Sequence, residues 1–138
     1  MSRRSPSCRS TLQGREILLV EDESLIVFDV TRALEREGAR VIGAANVAQA
    51  LERLDTHRPD AAVLDLKLDR GESSERIAAR LDELRIPYLI HTGDALRHVE
   101  LLERIAAPRL SKPYPSHFLV ARVSELLEPR PATDGPSR

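Results

Sequence analysis

The chain has 138 residues, enough for one domain with a core of its own, and a formal net charge of −1. That near balance excludes bulk electrostatic attraction to nucleic acid, and an aromatic content of 3% without tryptophan excludes a stacking platform for single strands. The one cysteine, Cys8, excludes a disulfide framework within the chain, and no apolar run approaches the roughly 20 residues of a membrane-spanning helix.

Residues 1–14 and 129–138 are rich in Ser, Pro, Arg and Gly, lack periodicity and read as flexible tails. Arg3-Arg4 is followed by a polar stretch, so it makes no twin-arginine signal, and the chain is expected in the cytoplasm. Between the tails a strand-then-helix pattern repeats five times. Glu16–Val20 forms the first strand. An amphipathic helix follows from Ser24 to Glu37, with Leu25, Phe28, Ala33 and Leu34 as inward candidates and Gly38 as its stop. Arg40–Ala44 is the second strand. Asn46 caps a helix running to His57, with Val47, Ala50, Leu51 and Leu54 on one face.

The third strand is the apolar run Ala61–Leu64, closed by Asp65. A loop over Leu66–Glu72 leads to a helix starting near Ser73 or Ser74 and ending at Leu84. The fourth strand starts around Pro87 and stops at Thr92-Gly93. A shorter helix over Ala95–Arg104 carries Leu96, Val99 and Leu102. Arg109–Ser111 is the last strand, and Ser116 caps a final helix to Leu127 with Phe118, Leu119, Val123, Leu126 and Leu127 as its apolar positions. Strands alternating with helices of this length predict βαβ crossovers, hence an α/β fold with a parallel sheet covered on both faces.

In such a sheet all carboxyl ends point one way, the edge where open α/β sheets bind ligands. Four strands end on chemistry-bearing residues: Glu21-Asp22, Asp65, Thr92 and Lys112. Clustered carboxylates repel unless a cation lies among them, and oxygen ligands in a partly open site suit Mg²⁺. With the metal present, Asp65 would be an ionised oxygen nucleophile. Lys112 and the metal would neutralise the oxygens of a transferring phosphoryl group, to which Thr92 donates a hydrogen bond. Lys112 and Lys67 are the only lysines in a chain whose positive charge is otherwise arginine. Each residue also has a plainer reading. Glu21–Glu23 suit a helix N-terminus, Thr92–Asp94 suit an ordinary turn, and Lys112-Pro113 suits a solvated strand end. The plainer readings do not account for all four occurring in order at four strand ends.

The segments Leu18-Leu19-Val20-Glu21-Asp22-Glu23-Ser24, Val63-Leu64-Asp65-Leu66, His91-Thr92-Gly93 and Ser111-Lys112-Pro113-Tyr114 resemble the receiver domain of bacterial two-component response regulators. The resemblance covers about residues 15–128. It implies a flavodoxin-like (βα)5 sheet in the order 2-1-3-4-5. It implies that Asp65 is the phosphoacceptor for a histidine kinase or a histidine phosphotransfer protein. Mg²⁺ would be held by Glu21, Asp22, Asp65 and the backbone carbonyl of Lys67, and the phosphoryl oxygens by Thr92 and Lys112. The bond before Pro113 would be cis. The residues after Leu127 are few and polar, which predicts a stand-alone receiver acting through a downstream protein target or in a relay. The face around the fourth and fifth helices and fifth strand would serve partners or dimerisation.

Two positions depart from the family pattern. The loop Leu68–Glu72 lacks the usual proline, and Arg109 occupies the switch position, three residues before the site lysine, where the family carries Tyr or Phe. The run Ile86-Pro87-Tyr88-Leu89-Ile90-His91-Thr92-Gly93 is similar to a subset of single-domain receivers with a Pro-aromatic-x-x-x-Thr-Gly fourth strand. In receivers the positions of Lys67 and Asp94 modulate hydrolysis of the phosphoryl group, and their opposite charges here predict a pair across the site. His57 and His117 read as surface residues, and alternation turns His91 to the strand face opposite Thr92. Two alternatives stand beside the main reading. One is a pseudo-receiver that keeps the fold as an interaction module. The other is a phosphohydrolase of the haloacid dehalogenase type, against which Lys67 occupies the position of the general acid.

Overall fold

Every apolar run closed by a polar turn forms a strand, and every amphipathic segment between them a helix. The computed structural model describes residues 12–68, 72–93, 98–105 and 107–128. In chain order the elements are β1 (Glu16–Val20), α1 (Ser24–Arg36), β2 (Arg40–Ala44), α2 (Val47–Thr56), β3 (Ala61–Asp65), α3 (Glu75–Leu84), β4 (Tyr88–Thr92), α4 (Val99–Arg104), β5 (Arg109–Ser111) and α5 (Ser116–Leu127). The strands form one parallel sheet in the order β2-β1-β3-β4-β5, the flavodoxin-like arrangement. None of the described helices is long and apolar enough to cross a membrane.

Alternation along each strand divides the core in two. Leu18, Val20, Ala62, Leu64, Tyr88 and Ile90 face α2, α3 and α4, where Leu54, Ile77, Leu81 and Leu102 pack on them. Ile17, Leu19, Ala61, Val63 and Leu89 face α1 and α5, against Val30, Leu34, Leu119 and Val123. Parity then fixes which cover a strand-end residue meets. Asp65 and His91 continue the second set, towards α1 and α5.

Local signals account for the boundaries. Asn46 Oδ1 accepts the Gln49 N–H at 2.8 Å, the expected cap of α2. Chain reversal after α1 uses Gly38 at φ +90°, a conformation that a side chain would strain. Ser116 begins α5 without a side-chain cap; the capping position belongs to Pro115.

Three further expectations are corrected. Leu25 and Phe28 were expected to point inward from α1, yet they are 79% and 62% exposed. The buried row is Val30, Ala33 and Leu34, with Ile26 and Val27 packed beside it. At about 100° per residue, Leu25 and Phe28 fall on the opposite side of that row. Phe28 is instead covered by Arg32, whose guanidinium carbon lies 5.5 Å from the ring centroid. Val99 and Phe118 are likewise exposed on α4 and α5, while Leu101, Leu102, Leu119 and Val123 are buried. Finally, Leu12, assigned to the flexible tail, is fully buried against the α1/α5 core, and the Gly14 N–H donates to the Gly38 carbonyl at 2.9 Å. One apolar residue in a polar stretch has no periodicity to betray it. Leu96 lies outside the described residues.

The phase of α1 is testable by urea unfolding. Leu34→Ala is expected to cost about 2–5 kcal/mol and Leu25→Ala less than about 0.5 kcal/mol. Equal losses would show the helix to be rotated.

Candidate functional site at the carboxyl edge of the sheet

The sheet's direction gathers Glu21 and Asp22 (after β1), Asp65 (the end of β3), Thr92 (the end of β4) and Lys112 (after β5) at one edge. Backbone bonds carry the sheet beyond its strands. The Glu21 N–H donates to the Ala44 carbonyl at 3.0 Å, and the Lys112 N–H to the Thr92 carbonyl at 2.8 Å. The Lys112-Pro113 peptide bond is cis, as expected.

Lys112 Nζ lies 2.9 Å from Glu21 Oε1 and 3.3 Å from Asp65 Oδ2, so one ammonium bridges two carboxylates. Glu21 Oε2 accepts the Glu23 N–H at 3.1 Å. Glu21 is buried, Asp65 is 8% exposed, and Asp22 is open to solvent. Each of the three carboxylates offers an oxygen within 4.8 Å of the others. With all three ionised against one ammonium, two negative charges remain. A hard divalent cation with oxygen ligands, such as Mg²⁺, fits both the donor set and that residual charge.

The electrostatics divide the labour between the two bridged acids. Burial works to raise the pKa of Glu21, but the hydrogen bond and charge of Lys112, with His91 Nε2 close by, prevail and hold it well below the usual carboxylate range. Asp65 is pushed up to about 7, by burial first and by the negative charge of Glu21 second, with Lys112 opposing. Burial works against the charged form of Lys112, but Glu21 and Asp65 together raise its pKa, so it stays an ammonium. A second positive charge at this place would relieve Asp65 and make it a nucleophile.

The loop after Asp65 folds back on itself. Lys67 pairs with Ser73 in an antiparallel bridge, and the Leu68 N–H donates to the Glu72 carbonyl at 2.7 Å. The Ser74 hydroxyl, fully buried, donates to the Asp65 carbonyl rather than capping α3. Lys67 is thus held by its backbone at the site's rim with its side chain exposed. Asp94, its expected partner across the site, lies outside the described residues. Arg109 is exposed at the start of β5, opposite Ile90. Thr92 is buried at the end of β4.

His91, Tyr114 and Ser74, to which the sequence alone assigned no role in the site, also belong to it. His91 does turn away from Thr92, as alternation requires, but that direction leads to the acidic site. It pairs in register with Asp65, its Nε2 is 3.0 Å from Glu21 Oε1, and its Nδ1 is 2.6 Å from the Tyr114 hydroxyl oxygen. One signal for it existed: an imidazole inside a short strand that is buried at every position. His57 and His117 are exposed, as expected.

A five-stranded parallel sheet of this order with an acid, ammonium and hydroxyl cluster at its carboxyl edge defines a receiver-like α/β protein. The sequence agrees: residues 17–124 match the profile of the response regulator receiver domain, and the chain belongs to that family. Receiver domains are phosphoacceptors rather than enzymes of the ordinary kind, and in two-component systems histidine kinases supply the phosphoryl group. Among its relatives is the alkaline phosphatase synthesis transcriptional regulatory protein PhoP of Bacillus subtilis. It is 35% identical over 119 residues, covering 83% of this chain and 49% of PhoP. The chain spans about half the length of the curated relatives it matches. Among solved structures, SdrG from Sphingomonas melonis Fr1 is 34% identical with a TM-score of 0.71, covering 86% of this chain and 99% of SdrG. The receiver domain of the sensor histidine kinase PA1611 from Pseudomonas aeruginosa is 28% identical with a TM-score of 0.72, over 83% of this chain and 98% of that one. That domain holds a magnesium ion in its active-site cleft.

The raised pKa of Asp65 predicts a pH dependence of stability in metal-free buffer. A carboxyl whose pKa rises on folding, here from 3.8 to about 7, weakens the fold once the pH exceeds the lower value. The weakening grows through the upper value and then levels off. Asp65→Asn should therefore gain stability relative to wild type between about pH 4 and 7, by on the order of 4 kcal/mol, and no further above. Chemical unfolding across that range checks it, and a pH-independent difference would contradict it.

Proposed function

We propose that Asp65 accepts a phosphoryl group from a phosphohistidine on a histidine kinase or a histidine phosphotransfer protein, and that the chain signals through the charged form. The observation that carries this reading is the shared ammonium: Lys112 Nζ is within reach of both Glu21 and Asp65 in a three-carboxylate cluster. A purely structural strand end has no need of three acids around one lysine.

In the proposed transfer an oxygen of Asp65 forms a bond to phosphorus as the bond from phosphorus to the donor's imidazole nitrogen breaks. The electron pair leaves with the imidazole, and no external oxidant or reductant enters. Glu21, Asp22, Asp65 and the Lys67 carbonyl would hold Mg²⁺, which supplies charge neutralisation at the phosphoryl oxygens when bound. Lys112 places a fixed ammonium beside Asp65 and needs no reorganisation to meet the oxygens that gain charge. Thr92, next to it across the β4–β5 pair, would donate its hydroxyl to one of them. Lys67, exposed two residues after Asp65, stands where it would tune attack by water on the aspartyl phosphate.

The downstream partner, or a second copy, would take the face of α4, β5 and α5. Exposed Val99 and Phe118, with Arg109 between them in the chain, support this assignment. Arg109 also supports a read-out other than an inward-swinging aromatic ring at that position.

Incubation with acetyl phosphate or phosphoramidate and Mg²⁺, followed by intact mass measurement, tests the proposal. One phosphoryl group is expected on wild type and none on Asp65→Ala. Lys112→Ala should slow uptake by about 10²-fold or more, the scale for losing a preorganised charge contact. A wild type that never gains the mass would favour the non-phosphorylated interaction module.

A further inference from the structure

We propose that His91 is a positioning residue of this site. Its ring, oriented by the Tyr114 hydroxyl, presents Nε2–H to Glu21 and fixes that carboxylate for a divalent cation. The inference rests on the metal-assisted reading of the site given above and adds a residue pair to it.

The geometry is a line of three groups from three elements. Tyr114, after β5, has its hydroxyl oxygen 2.6 Å from His91 Nδ1. The His91 side chain, on β4, is fully buried, and its Nε2 is 3.0 Å from Glu21 Oε1, after β1. The same Oε1 is 2.9 Å from Lys112 Nζ, and Oε2 accepts the Glu23 N–H. Glu21 is therefore gripped by hydrogen bonds from the end of β5 and from the turn into α1, and approached from β4 by His91. An acid gripped this way has little freedom left to choose its orientation.

Chemistry decides which ring nitrogen carries the proton. The buried ring has the Tyr114 hydroxyl at Nδ1 and the Glu21 carboxylate at Nε2. The un-ionised phenol could donate or accept, whereas the Glu21 carboxylate facing Nε2 can only accept, so the ring proton belongs on Nε2 and the phenol O–H donates to Nδ1. A phenol O–H donating to Nδ1 leaves the ring proton on Nε2, facing an acceptor-only carboxylate. The other tautomer would set a lone pair against Glu21 at 3.0 Å in a place without room for exposure to water. The same logic governs histidines and carboxylates one step removed from metals elsewhere, where the outer partner fixes the orientation of the inner one.

The contact between Nε2 and Glu21 is close, but it is not aligned as a formed hydrogen bond. Nε2 is the one buried side-chain polar atom without such a bond among the described residues. Leaving a buried donor unmet costs free energy. Hydrogen bonds at such sites are often poorly aligned until the ligand is present. A leucine would fill a similar volume in this apolar layer, between Leu89 and Leu110, without burying a polar ring. The imidazole is explained by its work on Glu21.

The test is Mg²⁺ titration by calorimetry of wild type, His91→Leu, His91→Gln and Tyr114→Phe, with metal-free melting temperatures and ¹⁵N spectra of the His91 ring. In wild type the ring should show a proton on Nε2, and a ring protonated on Nδ1 alone would overturn the proposal. Mg²⁺ affinity should fall about tenfold in His91→Leu and about threefold to tenfold in Tyr114→Phe, the scale for losing an outer partner of a metal site. His91→Gln, whose amide can still donate to Glu21, should recover most of the loss. Unchanged Mg²⁺ affinity in Tyr114→Phe and His91→Leu, whatever happens to the melting temperatures, would overturn the proposal and leave His91 a core residue. Should His91→Leu not fold, Tyr114→Phe decides by the same criterion, since it removes a single oxygen. A wild type that binds no Mg²⁺ would overturn the metal reading itself, a result distinct from variants that bind as tightly as wild type.

Discussion

The ammonium of Lys112 lies between Glu21 and Asp65, and the arrangement of the sheet's carboxyl edge follows from that contact. Three carboxylates brought within 4.8 Å of one another repel, and in a partly buried place water screens them poorly. One fixed cation lets two of them coexist, though not equally. Glu21, approached also by His91, is readily ionised, whereas Asp65 keeps its proton to about neutrality. The site thus carries an unsatisfied demand for positive charge at the oxygen that would do the chemistry. A divalent cation would meet that demand, and the buried acid would then serve as the nucleophile of the proposed transfer.

The fold makes this concentration of charge affordable by holding it on rigid supports. β1, β3, β4 and β5 each contribute one strand end, and the parallel direction puts those ends on one edge. Apolar layers above and below the sheet fix the strands, so the charged groups sit on or directly after rigid elements. Loop bonds then refine the position of Asp65. The Ser74 hydroxyl binds its carbonyl, and the Lys67–Ser73 bridge closes the chain beyond it. His91 and Tyr114 perform a similar service for Glu21 from beneath.

Much of this was legible in the sequence, because the signals were local. Strand ends could be read from apolar runs stopped by a polar residue, and the acid, Asp65, Thr92 and Lys112 set shared one edge once the strands were parallel. Helix rotation was less secure. In α1 the apolar residues surround much of the cylinder, so Leu25 and Phe28 fitted an inward row as plausibly as Val30 and Leu34 until packing chose between them. Leu12 was invisible for the opposite reason: a lone apolar residue has no period.

What the sequence determined by itself is the alternation of strands and helices and the identity of the chemical groups at the strand ends. Both depend on interactions within a few residues and on the single rule that parallel strands share a direction. What only the tertiary structure decided is which groups touch. That Lys112 reaches Glu21 across 91 residues, that His91 stands in register with Asp65, and that Tyr114 lies behind His91 depend on strand register and on the choice of covering helix. A shift of one residue in register would turn His91 to the other layer. No periodicity in the chain encodes that register, because it is set by the fit of the whole sheet against both of its covers.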